Sequence, residues 1–209
     1  VKNDAYLAPY EDAIRGRHEH ALWKMNQLTQ NGKLTLSDFA NGHNYYGLHQ
    51  TADGWVFREW APNATEIYLV GDFNGWNEQE AYQCHRIEGT GNWELTLPHD
   101  AMQHGQYYKM RVHWEGGEGE RIPAWTQRVV QDEASKIFSA QVWAPAEPYV
   151  WKKKTFKPQT SPLLIYECHI GMAQDEEKVG TYNEFREKVL PRIIKDGYNT
   201  IQIMAIQEH

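Results

Sequence analysis

Three patterns of apolar and polar positions follow one another along the chain. In the first, Ile14, His18, Ala21/Leu22, Met25 and Leu28 recur at three- and four-residue intervals, the spacing of one helical face. This predicts a helix from Asp4 to Gln30, with Pro9 in its first turn and Asn31-Gly32 as the stop. A short second helical turn is expected over Leu34 to Asn41, capped by Ser37 and closed by Asn41-Gly42.

From Tyr45 the period shortens to two. Tyr45 to His49 and Trp55 to Trp60 read as a hairpin across Thr51-Ala52-Asp53-Gly54. In Glu66 to Val70, Ile67 and Leu69 are expected to point inward, with Glu66, Tyr68 and Val70 outward. Further strands are expected at Cys84–Ile87, Asn92–Leu97, Gln106–Trp114, Glu120–Ile122, Gln127–Val130 and Ile137–Val142. Turns at Gly89-Thr90-Gly91 and Gly116-Gly117-Glu118-Gly119 separate some of them, and Trp93, Leu95 and Leu97 share one face. Many short strands at such spacing indicate a mainly β fold, a two-sheet sandwich of immunoglobulin-like type.

The third pattern starts after a Pro-, Lys- and Trp-rich stretch, Trp143 to Pro162, that reads as a linker. Leu163 to Glu167 is continuously apolar but for its end, and Thr181-Tyr182-Asn183-Glu184 is a capping box. Phe185, Val189, Ile193 and Ile194 line a helix that Pro191 should kink and Gly197 should end. Asn199 to Ile203 is a second apolar strand, which makes one parallel βαβ unit. The chain then stops at Gln207-Glu208-His209. A lone βαβ unit cannot cover its own sheet, so the expectation is a chain cut inside a larger α/β domain. The expected organisation is a helical segment 1–43, a sandwich 44–145, a linker 146–162 and the βαβ unit 163–209.

Composition sharpens this picture. Aromatics reach 13% of the 209 residues, with nine Trp and twelve Tyr, enough to fill a core and leave a surplus for a surface. A net charge of −7 argues against nucleic acid as a partner. The basic run Lys152-Lys153-Lys154 reads as solvated linker. No apolar run reaches the length of a membrane span and no signal peptide opens the sequence, so no membrane partner is expected. Cys84 and Cys168 lie in different segments, which argues for free thiols and a cytoplasmic location. His18 and His20, two apart on a helix, cannot face one metal ion, and neither metal nor cofactor is expected. The informative stretch is Arg58 to Trp76, REWAPNATEIYLVGDFNGW, whose two turns each present a tryptophan, Trp60 and Trp76. A rigid indole beside Asn or Asp suits a flat, polyhydroxylated ligand, whose C–H groups lie on the ring. On pattern alone each tryptophan reads either as such a platform or as sandwich core.

The motifs EWAPNA, IYLVGDFNGW, GNWEL and IPAW resemble the starch- and glycogen-binding module at the N-terminus of amylase-family branching and debranching enzymes. IYECHIG, VLPRI, GYNTIQIMAI and the terminal QEH are similar to the first strand, helix and second strand of the barrel of 1,4-α-glucan branching enzymes. LSDFANG with YYGLH is similar to the eukaryotic-type branch of that family. The resemblance implies the N-terminal part of a retaining (β/α)8-barrel glycosyltransferase. Such an enzyme breaks an α-1,4 bond through a carboxylate nucleophile and passes the chain to a sugar 6-hydroxyl. In the family those carboxylates belong to later strands. Glu167, Asp175, Glu208 and His209 match none of the catalytic motifs, so no catalytic residue is assigned and the chain alone is expected to be inactive.

What the resemblance does carry over is binding of α-glucan, that is glycogen, starch or maltooligosaccharides. It points to Trp60 and Pro62, to Thr90, Gly91 and Asn92, and to Gly32 and Lys33. A second set, from glycogen-targeting modules, is Trp76 and Lys109, although Lys109 also reads as a solvated strand lysine and Trp114 does not stand where that set has a second platform. Trp93 reads as core. Two alternatives are a non-catalytic glycogen-targeting module and a debranching hydrolase, and the βαβ tail favours the branching enzyme over the first. Self-association through Leu163–Glu167 and Asn199–Ile203 is expected if their barrel partners are missing.

Overall fold

The N-terminal helix α1 spans Glu11–Leu28, shorter than expected, because Pro9 sits in a separate 3-10 turn, Ala8–Tyr10, set off by Asp4. The Asp4 carboxylate accepts from the Tyr6 and Leu7 amides and holds the chain out of helix there. The computed structural model describes residues 3–157 and 161–206. The chain divides into two units, Val1–Pro148 and Tyr149–His209. Helix α1 buries none of its residues: Ile14 and Leu28 are half-buried, whereas His18, Ala21, Leu22 and Met25 are exposed. The expected apolar stripe is therefore present in sequence but uncovered among the described residues. Gln30, Asn31 and Gly32, all at positive φ, end the helix.

Helix α2, Leu36–Phe39, is capped by Thr35 and not by Ser37. The reason is Asp38, which stands three residues after Thr35 and closes a reciprocal box: its carboxylate accepts from the Thr35 amide at 2.8 Å. Asn41-Gly42 does not close a helix but opens another turn, α3, Gly42–Tyr45.

Nine strands follow in two antiparallel sheets. The first contains β1 (Gly47–Thr51), β2 (Gly54–Trp60), β4 (His85–Ile87) and β5 (Asn92–Leu97), in the order β1-β2-β5-β4. The second contains β3 (Ala64–Gly71), β6 (Tyr107–Trp114), β8 (Val129–Gln131) and β9 (Phe138–Gln141), in the order β3-β6-β9-β8. A further strand, β7 (Gly117–Arg121), pairs with β6. Phe57, Ile67, Leu69, Ala140 and Val142 are wholly buried between the sheets, with Trp55, Trp93, Leu95 and Tyr108 around them. Burial pushes the Tyr108 hydroxyl up to about 12.

Three expectations for these strands fail. Tyr45, expected to open the first strand, lies in α3, and β1 starts only at Gly47. Val70 is buried although its alternation places it outward, at the strand end where the GDFNGW turn folds back. Asn74 locks that fold, donating to the Leu69 carbonyl and accepting from the Gly71 amide. The glycine-rich turn also shrinks to Glu115-Gly116, because Trp114 pairs with Gly117. Gly117 and Gly119 are strand residues, and glycine suits them because a Cβ on Gly117 would stand 3.1 Å from the Trp114 indole and one on Gly119 3.0 Å from the Arg121 guanidinium and 3.3 Å from that indole.

The second unit is a βαβ element. Strand β10 (Ile165–His169) begins two residues later than expected and runs parallel to β11 (Thr200–Met204). Between them Thr181 and Glu184 form the capping box of α4, Tyr182–Glu184. Pro191 has no N–H to bond the preceding turn, and the helix yields upstream of it as a π-turn, Phe185–Val189, before α5, Leu190–Lys195. Gly197, at φ 92°, closes α5. Cys168, Ile170, Phe185 and Ile193 form its small core, while Ile165, Tyr166 and Met204 remain exposed.

Candidate functional site

Alternation along β2 builds the site. Trp55, Phe57 and Glu59 point into the sandwich, so Trp60 points out, 58% exposed at the end of the strand. Glu59 is an unusual inward residue, a carboxylate only 4% exposed. Its two oxygens accept from the Trp60 amide at 3.0 Å and the Ala124 amide at 2.8 Å. Burial raises its carboxyl above the ordinary 4.5, and the Ala124 and Trp60 N–H groups offset part of that.

The neighbouring strand completes the surface. Asn92 is the cross-strand partner of Trp60, and the Gly91 carbonyl accepts from the Ala61 amide at 3.0 Å. Gly91, at φ +76°, lies so close to its neighbours that a Cβ would stand 3.0 Å from Pro62 and 3.2 Å from the Trp60 indole nitrogen. Thr90 steadies the turn, donating to the Ile87 carbonyl and accepting from the Asn92 amide. Arg86 donates to the Pro62 carbonyl at 2.8 Å, and the Tyr46 hydroxyl donates to Asn92 Oδ1 at 3.0 Å. Trp60, Pro62, Thr90, Gly91 and Asn92 therefore meet in one place. Trp93, one residue on, faces inward, and its indole donates to the Ala61 carbonyl at 2.9 Å.

The other named residues are elsewhere. Trp76 follows the β3 turn, half-buried at φ 62°, with its indole N–H donated to Asp72 at 3.0 Å. Lys109 is no solvated lysine: its side chain is 13% exposed and its ammonium donates to Glu120 at 3.0 Å. Glu120 also takes Arg111, and its carboxyl is held below the ordinary range by Lys109 first. Gly32 and Lys33 lie in the turn after α1, where a Cβ on Gly32 would meet nothing within 4 Å.

The sequence reading missed three contributors. Glu59 stood in the quoted EWAPNA motif without a role, and Tyr46, expected inside a strand, precedes β1 instead. Trp125 sat in the quoted IPAW motif without a role. Tyr46 stacks on Trp125 with ring centres 5.9 Å apart, and Trp125 is 42% exposed.

Chemistry of other kinds finds less support. Glu78, His113 and Glu118 are a group able to hold a metal ion, but the carboxylates take opposite ring nitrogens at 2.8 and 3.1 Å. A single ion cannot replace both contacts. Glu167 accepts from Gln202, and Asp175 lines a hollow of about 540 Å³ in the second unit. Glu208 and His209 lie outside the described residues. No helix among the described residues is long and apolar enough to cross a membrane.

The chain matches known proteins in sequence and in fold. Residues 45–132 match the family model Carbohydrate-binding module 48 (Isoamylase N-terminal domain). The chain is 37% identical to a 1,4-alpha-glucan-branching enzyme of Dictyostelium discoideum over 100% of its own length and 31% of that protein. It is 41% identical to the 1,4-alpha-glucan-branching enzyme of Yarrowia lipolytica, again over 100% of this chain and 31% of the relative. The chain thus spans 31% of the length of these curated relatives. Among solved structures, a type I pullulanase from Bacillus subtilis complexed with maltose aligns with a TM-score of 0.60 at 21% identity, over 76% of this chain and 23% of that one. A Paenibacillus barengoltzii pullulanase complexed with maltotetraose aligns with a TM-score of 0.60 at 20% identity, over 77% and 27%. These structural likenesses establish the fold.

Proposed function

Starting from the match of residues 45–132 to the carbohydrate-binding module 48 family model, we propose that the Trp60 surface binds α-1,4-glucan as part of a 1,4-α-glucan branching enzyme. The observation that carries this is the exposed Trp60 indole, fixed at its backbone by Glu59 and flanked by Pro62, Gly91 and Asn92. A pyranose lays its C–H face on such a ring, and its hydroxyls reach the polar rim. Asn92 Oδ1 accepts from Tyr46, so the amide nitrogen is the group that donates to a sugar hydroxyl.

The reaction of the whole enzyme is cleavage of an α-1,4 link with retention and transfer of the chain to a 6-hydroxyl. This chain contributes docking of the glucan, and none of its residues supplies the nucleophile or the acid, so alone it is inactive. Trp76 and Lys109 form at best a second contact, because both polar ends are already bonded to carboxylates within the protein. A targeting module that scaffolds another protein is the competing reading. The βαβ unit Ile165–Met204 speaks against it, since targeting needs no barrel strands. Both cysteines are free thiols, which suits a reducing, cytoplasmic setting.

Titration with maltoheptaose tests the surface. Trp60→Ala should weaken binding at least about tenfold, the scale of a lost aromatic anchor. Trp93→Phe should lower stability while changing affinity less than about twofold, because its indole serves the core. Equal losses of affinity at the two positions would place the surface elsewhere.

A further inference from the structure

We propose that Trp125 and the cavity beside it are a second subsite for the same α-glucan chain, so that one oligosaccharide spans both exposed indoles. The proposal rests on the glucan reading of the Trp60 surface and extends it to residues that reading does not use. Three observations join the two places.

The first is Glu59. One buried carboxylate holds the amides of Trp60 and Ala124, which keeps those two backbone nitrogens within about 8 Å of each other. Trp125 follows Ala124 directly, so both indoles stand on backbone anchored to one group. The second is Tyr46, which bridges on the outside: its hydroxyl reaches Asn92, the strand partner of Trp60, and its ring stacks on Trp125 at an interplanar angle of 17°. A continuous aromatic and amide surface therefore runs from Trp60 through Asn92 and Tyr46 to Trp125. The third is the hollow itself. It measures about 510 Å³ and is lined by His43, Asn44, His49, Trp125 and Gln127, a size within the range of small-ligand clefts.

The chemistry of that hollow fits a sugar. His43, Asn44 and Gln127 are exposed, and their side chains make no hydrogen bond to the protein among the described residues. Each can both donate and accept, as a ring of hydroxyls requires. Trp125 remains 42% exposed even with Tyr46 on one face. Its position is not loose: a Cβ on Gly47 would come within 2.5 Å of the Trp125 carbonyl, so only glycine lets β1 run beside it.

The length of the ligand separates the subsites. With the 209-residue chain, Trp125→Ala should weaken maltoheptaose about tenfold and leave maltotriose within about twofold, whereas Trp60→Ala should weaken both. In indole-nitrogen NMR of the wild-type chain, the Trp125 resonance should shift with maltoheptaose and stay in place with maltotriose. If Trp125→Ala does not fold, that resonance decides alone. An unmoved Trp125 signal, or an unchanged maltoheptaose affinity in folded Trp125→Ala, overturns the second subsite while the Trp60 surface stands. Failure of the wild-type chain to bind maltoheptaose at all overturns both.

Discussion

Consider Glu59→Ala, which deletes a side chain that serves both the sandwich and the surface above it. Two amides, those of Trp60 and Ala124, lose their acceptor at once in a place where Glu59 itself is 4% exposed. A buried N–H left without a partner costs about 1–3 kcal/mol, so the pair amounts to roughly 2–6 kcal/mol. For a unit of this size, at about 2–4 °C per kcal/mol, that is a fall in Tm of roughly 4–24 °C. Urea unfolding followed by tryptophan fluorescence measures the loss, and maltoheptaose titration below the transition should show weakened binding in the protein that remains folded.

The pH dependence isolates the carboxylate. Because the folded-state value of Glu59 lies above the ordinary 4.5, the group contributes stability that is fully present below pH 4.5. That contribution is lost as pH rises through the folded value, where the unfolded chain ionises freely and the folded one only against burial. Glu59→Gln cannot titrate there. The stability of the wild-type chain minus that of Glu59→Gln should therefore shrink from pH 4 to pH 7. A difference that is flat or grows with pH, or a Glu59→Ala loss below about 1 kcal/mol, would show that Glu59 is not the group that couples core and surface.

Two further outcomes follow from local geometry. Gly91→Ala forces a Cβ into left-handed backbone, about 1–2 kcal/mol, and against Pro62 and Trp60. Urea unfolding should show that loss and titration a several-fold weaker maltoheptaose affinity, and unchanged binding would mean the contact does not set the platform. In the second unit, Thr181→Ala should cost about 1 kcal/mol by breaking the capping box, visible as faster hydrogen exchange at the Glu184 amide. Glu184, held to about 2 chiefly by Lys178, contributes stability present above 4.5 and lost only as pH falls toward 2, so the cap of wild-type protein should persist at pH 4.

Much of the sandwich was legible because its strands are half-buried and alternate: Ile67 with Leu69, and Trp93 with Leu95 and Leu97, all lie inward as the period requires. The βαβ unit was legible through its capping box and its apolar strands. What escaped depends on contacts between distant residues. Val70 breaks its alternation because a turn folds over the strand end. Gly117 and Gly119 read as turn residues, yet they are strand residues crowded by the Trp114 indole and, at Gly119, first by the Arg121 guanidinium. Of the candidate surface, Trp60, Pro62 and the Gly91 turn came from motifs with a role attached, whereas Glu59 and Tyr46 stand in quoted motifs that gave them none. A buried acid at an alternating position carries no local mark, and its partner Ala124 lies 65 residues away. The uncovered stripe of α1 is the reverse case, a periodic signal whose covering partner is not among the described residues.

The strand order has a thermodynamic consequence for whatever lands on the surface. Trp60 and Asn92 belong to β2 and β5, the two inner strands of a four-stranded sheet; Asn92 is paired on both sides, by Trp60 and Ile87, and Trp60 on one side, by Asn92. Inner strands open only with the cooperative unit as a whole, unlike loops that fluctuate independently. The platform is thus preorganised, and a bound oligosaccharide surrenders its own torsional freedom while demanding almost none from the protein. Calorimetry should accordingly assign the unfavourable entropy of binding to the ligand, growing with the number of glucose units held.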